Sequence, residues 1–162
     1  MTLLALSLGS NVDAPKNLLD AITALRSKFG VLAISTIYES KAIGFSGDNF
    51  LNFVVSVETS YSLKDVFDYL KDLENDMGRN RTKARYSDRT IDIDILLFGD
   101  STGEECGLDL PRAEILYNAF ILRPLAELHP QLKHTVLDVS YKNLWNAFDN
   151  KNQKLWPTKI KL

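Results

Sequence analysis

The segment Arg89-Thr90-Ile91-Asp92-Ile93-Asp94-Ile95-Leu96-Leu97-Phe98-Gly99 constrains this chain more than any other. Ile91, Ile93 and Ile95 alternate with Asp92 and Asp94, the period-two pattern of a strand with one buried face. Both carboxylates therefore leave the opposite face, with Cα atoms about 7 Å apart at about 3.4 Å rise per residue. Asp is depleted from strands, and two on one face repel each other unless a cation lies between them. Mg²⁺ suits such a pair, because it keeps several waters and takes one or two carboxylates plus substrate phosphates. The plain structural alternative is the wetted face of an edge strand, where charge blocks stray pairing.

Upstream, Arg79-Asn80-Arg81-Thr82-Lys83-Ala84-Arg85-Tyr86-Ser87-Asp88-Arg89 carries five basic residues and one acid, without an apolar period. It reads as a mobile loop. In a chain of net charge −2 this cluster stands out, and it feeds directly into the double-Asp strand. Cations beside paired carboxylates are what a polyphosphate site needs: Mg²⁺ bridges phosphate oxygens while Arg forks neutralise and orient the rest. A solvated basic loop is the bland reading. Adjacency to the Asp pair favours phosphate handling.

At 162 residues, with 45% apolar and 25% charged residues, the chain reads as one globular domain large enough to bury a real core. The near-neutral balance argues against a general nucleic-acid binder, and no apolar run is long enough to span a bilayer. Met1 to Leu8 runs into Gly9 without the basic start or cleavage site of a signal peptide, so a cytoplasmic monomer is expected. Cys106 is the single cysteine and fits a reducing compartment. Its acidic neighbours Glu104 and Glu105 discourage a thiolate. With only His129 and His134, a zinc cluster is not expected.

Along the chain, Leu3 to Leu8 reads as a buried strand closed by a Gly9-Ser10-Asn11 turn. Asp13 is placed to cap a helix with Pro15 in its first turn and Leu18, Ile22, Leu25 and Phe29 as its inward stripe. Val31 to Tyr38 reads as a second strand. In Phe50–Thr59, Leu51, Phe53, Val55 and Val57 face one way, and Phe50, Asn52 and Val54 the other. Ser62-Leu63-Lys64-Asp65 is a capping box with Asp for Glu. Its helix buries Leu63, Val66, Phe67, Leu70, Leu73 and Met77 and ends at Gly78, with Lys71 and Glu74 sharing an outer face. Helices are expected around Ala119–Leu128 and Ser140–Phe148. Two βαβ-like units with one-sided strands predict an α+β sandwich of ferredoxin-like type, a mostly antiparallel sheet with flanking helices.

Neither G-x-x-x-x-G-K-[ST] nor G-x-G-x-x-G occurs, which argues against a P-loop enzyme or a dinucleotide dehydrogenase. Instead, Gly9-Ser10-Asn11, Tyr38-Glu39-Ser40, Phe50-Leu51-Asn52, Leu73-Glu74, Gly78-Arg79, Arg89-Thr90-Ile91-Asp92-Ile93-Asp94, Phe98-Gly99, Leu110-Pro111 and Phe120 through Pro124-Leu125-Ala126-Glu127 occur in order. This set resembles the hydroxymethyldihydropterin pyrophosphokinase family of folate biosynthesis. The resemblance implies that the hydroxymethyl oxygen of 6-hydroxymethyl-7,8-dihydropterin attacks the β-phosphorus of ATP and that AMP leaves. Asp92 and Asp94 match the carboxylates that hold two Mg²⁺ ions on the triphosphate. Arg79 and Arg89 match basic residues of catalytic loops that close over ATP. Lys71, Glu74, Arg81, Ile95 and Arg112 fall at positions lining the same ATP cleft.

A flat, amide-like heterocycle needs stacking faces and in-plane hydrogen bonds. Asn52 offers both donor and acceptor, and Phe50 leaves the same strand face one step away. By the resemblance, Phe120 supplies a second aromatic, and Ser40, Ala42 and Ile43 form the pterin-edge loop. The chain departs from the family pattern at several places. Arg112 and Asn118 stand where His and Arg are usual, Phe50 where Tyr is common, Tyr86 where Trp is often found, and Lys41-Ala42 where a Pro-rich pair is usual. Weakened ATP affinity is therefore one expectation, and a pterin- or ATP-binding paralogue with little turnover is the rival reading. A different class is a single-stranded RNA module on a ferredoxin-like sheet, which needs exposed stacking aromatics on adjacent strands and a broader basic surface.

Overall fold

The computed structural model describes residues 1–42, 46–78 and 90–162. Among them the chain runs β1 (Thr2–Ser10), α1 (Ala14–Phe29), β2 (Ala33–Ile34), β3 (Tyr38–Ser40), β4 (Phe50–Thr59), α2 (Leu63–Asp76) and β5 (Asp92–Phe98). There follow β6 (Gly103–Glu105), β7 (Leu108–Leu110), a 3-10 turn (Ala113–Leu116), α3 (Ala119–Leu128), α4 (Tyr141–Ala147) and β8 (Trp156–Pro157). The main sheet has the order β5-β1-β4-β3-β8, with β2 also on β4, and every pairing is antiparallel. Each helix-linked pair, β1 with β3 and β4 with β5, is split by an intervening strand. That is the split-βαβ arrangement of a ferredoxin-like sandwich.

Alternation along the strands builds two cores. Leu4, Leu6 and Leu8 of β1, Leu51, Phe53 and Val55 of β4, and Ile93 and Ile95 of β5 pack with Leu18, Ile22 and Leu25 of α1 and Leu63, Val66 and Leu70 of α2. On the other face, Ala5, Val54, Leu96 and Leu97 pack against Ile121, Leu122, Leu125 and Ala126 of α3 and Tyr141 of α4. Leu96 and Leu97 share this face because the β1–β5 register shifts between Ala5 and Leu6, so Ala5 pairs Leu97 while Leu6 pairs Ile95. A bulge puts consecutive residues on one side of a strand.

Three local expectations are corrected. The expected turn at Gly9-Ser10-Asn11 begins later, because Gly9 and Ser10 remain in β1, paired to Asn52 and Leu51. The expected strand Val31–Tyr38 is two short pieces. Between them, the Thr36 N–H and hydroxyl both donate to Glu127 on α3 (2.8 and 3.0 Å), so this residue bonds a helix rather than a strand. Asp13 occupies the N-cap position of α1 in a left-handed conformation (φ 41°) without a side-chain cap. Ser62 caps α2 as expected, its Oγ accepting the Asp65 N–H at 3.1 Å. No helix among the described residues is long and apolar enough to cross a membrane.

Candidate active site

Register brings the separated motifs into one line. Tyr38 pairs Asn52, Asn52 pairs Gly9, and Gly9 pairs Asp92, one residue from each of β3, β4, β1 and β5. The next row on the same face is Val54, Ser7 and Asp94. Since Val54 packs beneath α3, this is the α3 side of the sheet, and Asn52, Asp92 and Asp94 share it. Phe50, two residues before Asn52, belongs to the same face by alternation. The sequence grouped Phe50 with Asn52 and Asp92 with Asp94, each within its own strand, and the register through β1 puts both pairs on one face. It did not show that β1 contributes a glycine between the acid and the amide. A Cβ on Gly9 would lie 2.5 Å from the Asn52 Oδ1, so the amide lies directly over bare backbone.

β5 is a sheet edge, and Arg112 reaches its acids from the segment after β7. The Arg112 N–H donates to the Leu96 carbonyl (2.9 Å) and its Nε to the Ile95 carbonyl (3.1 Å). Its guanidinium then stands 3.8 Å from Asp94 Oδ1 and 3.9 Å from Glu114 Oε1. The Asp94 side chain remains 46% exposed, so it can still face a ligand. Ile95, expected at the ATP cleft, buries its side chain in the α1–α2 core and presents only its carbonyl to Arg112.

Glu74, expected on an outer face with Lys71, is instead buried: its side chain is 3% exposed and its Oε2 accepts the Ile93 N–H at 3.1 Å. Ile93 lies between the two acids, so Glu74 braces the strand that presents them. Lys71 does stay half-exposed, its Nζ 4.0 Å from Glu74 Oε1 and 5.1 Å from the Phe67 ring centroid.

Beside the Asn52 end lies a cleft of about 460 Å³ whose lining includes Ser40, Ala42 and Phe120, three of the residues expected around a flat heterocycle. Asn52 and Phe50 are not in its lining; Phe50 pairs with Ser40, which is, and Asn52 with Tyr38 two residues before it. Phe120 is held in the first turn of α3, which Glu127 ties to β3 through the Tyr38 hydroxyl (2.7 Å) and Thr36. Burial and the Glu127 carboxylate beside it push the Tyr38 phenol up to about 12. Arg123 stacks 4.6 Å over the same ring. The sequence reading missed Lys151, Asn152, Gln153, Lys154, Leu155 and Trp156, which form a further wall. Ile43, Arg79, Arg81, Tyr86 and Arg89 lie outside the described residues.

An acid pair thus stands on one edge of a ferredoxin-like sheet, with an amide on the same face and a cleft nearby. Residues 5–130 match the family model of 7,8-dihydro-6-hydroxymethylpterin-pyrophosphokinase. The chain belongs to this family. The 2-amino-4-hydroxy-6-hydroxymethyldihydropteridine pyrophosphokinase of Aquifex aeolicus is 37% identical over 138 residues, covering 84% of this chain and 86% of the relative. That of Bacillus subtilis is 33% identical over 132 residues, covering 79% and 78%. The crystal structure of Plasmodium falciparum HPPK-DHPS superposes with a TM-score of 0.73 at 17% identity over 94% of this chain. This chain spans 42% of that longer one, and at such identity the likeness bears on the fold alone.

Proposed function

We propose that the Asn52–Gly9–Asp92 row is where pyrophosphate passes from ATP to 6-hydroxymethyl-7,8-dihydropterin, the folate-biosynthetic reaction that membership of the family carries. The observation that carries this reading is the register itself: it puts an amide suited to a pterin edge and carboxylates suited to a metal–triphosphate on one face, two strands apart.

Asn52 grips the in-plane donors and acceptors of the pterin, while Phe120 and Phe50 hold its faces and Ser40, Ala42 and Ile43 its edge. The ring is thereby fixed with its hydroxymethyl arm toward β5. The hydroxymethyl oxygen bonds to the β-phosphorus, the bond from that phosphorus to the bridging α–β oxygen breaks, the hydroxyl proton is released, and AMP departs. Positioning of two substrates is the main source of rate in such transfers.

The pair Asp92 and Asp94 suits Mg²⁺, because this ion needs only one or two protein carboxylates beside substrate phosphates and waters. When two such ions are bound there, they supply charge neutralisation along the triphosphate and at the leaving oxygen. Arg112 adds a fixed cation at Asp94, and Arg79, Arg81 and Arg89, with Lys71, add further positive charge for the phosphates. Glu74 acts by holding Ile93.

Coupled measurement of AMP release tests the reading. Wild type should release AMP only with pterin, ATP and Mg²⁺ together. Asp92→Ala and Asp94→Ala should each abolish turnover while retaining the far-ultraviolet circular dichroism of wild type. Substantial activity in either variant would defeat the metal assignment, and pterin-independent AMP release would defeat the substrate assignment.

A further inference from the structure

We infer that the C-terminal segment Lys151–Trp156 is part of the pterin site, and that Gln153 is a positioning residue for Phe120. This rests on the reading of the cleft as the pterin site. The family match ends at residue 130, so nothing in it assigns a role to this segment.

The argument begins at the first turn of α3. The first N–H groups of a helix have no intrahelical partner and are usually satisfied by a capping side chain. Asn118 occupies that position in an extended conformation but makes no side-chain cap. Gln153 does the work from 34 residues away: its Oε1 accepts the Ala119 N–H at 2.8 Å, and its Nε2 donates to the Tyr117 carbonyl at 2.8 Å. One amide thus grips the chain on both sides of Asn118, immediately before Phe120.

The same segment is fixed at its far end. Trp156 pairs with Glu39 and Pro157 with Tyr38, and the Thr158 N–H and hydroxyl both donate to the Ile37 carbonyl (2.9 Å each). Ser40 follows directly on β3. The segment is therefore a strap from the strand carrying Ser40 to the helix turn carrying Phe120, and it lines the cleft between them. Two walls of an aromatic-lined cleft keep a fixed separation only if something ties them together. Glu127 ties them at the C-terminal end of α3; at the end that carries Phe120 the tie is the amide of Gln153, anchored in turn by the β8 pairing.

Steady-state kinetics with 6-hydroxymethyl-7,8-dihydropterin, ATP and Mg²⁺ test this. Gln153→Ala should raise the pterin KM roughly three- to tenfold, the weight of about one neutral hydrogen bond, and leave the ATP KM within about twofold. Gln153→Glu retains an oxygen for the Ala119 N–H and should fall between wild type and Gln153→Ala. A merely structural role would lower the melting temperature and the amount of active enzyme but leave both KM values in place. Should Gln153→Ala not fold, Trp156→Leu tests the same wall, with the same split between the two KM values expected. If wild type turns over and no folded variant shifts the pterin KM, or if both KM values rise together, the inference is overturned. If wild type releases no AMP with pterin, the functional reading fails instead.

Discussion

Gly9→Ala probes the row at its centre. Gly9 lies in β1 without a positive φ, so its backbone accepts alanine and the perturbation is steric. The added Cβ would stand 2.5 Å from Asn52 Oδ1, whereas ordinary contact begins at 3.4 Å, so the amide must retreat by 3.4 − 2.5 = 0.9 Å. A displacement of that size takes an in-plane hydrogen bond of about 2.9 Å out of bonding geometry. Loss of one amide contact leaves a buried polar partner on the pterin unsatisfied, at about 1–3 kcal/mol, or roughly five- to 150-fold in pterin affinity. ATP affinity should stay within about twofold, because Asp92 lies on the far side of Gly9 and a backbone methyl does not alter strand pairing. Calorimetric titration of wild type and variant with pterin, and separately with a non-hydrolysable ATP analogue and Mg²⁺, measures both. Unchanged pterin affinity in a folded variant would show that Asn52 is not the amide that reads the pterin.

Three further outcomes are expected. Asn118→Arg should tighten the ATP analogue by roughly ten- to a hundredfold, the value of a hydrogen bond to a charged group. Asn118 has no side-chain cap to lose, and no gain in that titration would mean that Arg112 or another cation already fills the role. His134 accepts the Val136 and Leu137 N–H groups (3.2 and 3.1 Å) on Nδ1, and burial holds its pKa below the ordinary 6.5. The unfolded chain therefore binds the proton first: this stability is full above pH 6.5 and is lost as pH falls from there through the folded value. Denaturant midpoints of wild type should drop below pH 6.5 more steeply than those of His134→Gln, and parallel curves would refute this. The buried Tyr141 hydroxyl has no hydrogen-bond partner among the described residues, so Tyr141→Phe should raise stability by about 1 kcal/mol. A lower melting temperature would refute it.

Period-two alternation made β4 and β5 legible, and with them the face shared by Phe50 and Asn52 and that shared by Asp92 and Asp94, because side-chain direction in a strand is a local property; that the two faces are one follows only from the register through β1. The same locality set the limits. Gly9 carries a turn signature in Gly9-Ser10-Asn11, yet its pairing to Asn52 and Asp92 depends on strands 43 and 83 residues away. The Leu96 bulge is invisible in a run of apolar residues that fits either face. Helical spacing says that Lys71 and Glu74 are neighbours but not which of them turns inward. A buried carboxylate is the less common choice, and the Ile93 N–H on the edge strand, with Lys71 nearby, helps to make it favourable here. The Gln153 clamp joins residues 34 apart in sequence, and no motif announces it.

The position of Gly9 between Asn52 and Asp92 also sets a length. Two strand spacings separate the amide from the acid, about 9.5 Å, and backbone ladders hold that interval more stiffly than any rotamer could. Under the proposed function the row would act as a gauge: a substrate held by its flat edge at Asn52 would meet the triphosphate only if its ring and hydroxymethyl arm together span the interval. On that reading, substitutions at Asn52 or Phe120 would change how tightly the ring is held but leave the reach unaltered. Tolerance for longer or shorter substrates would have to come from a change in the order or spacing of the strands.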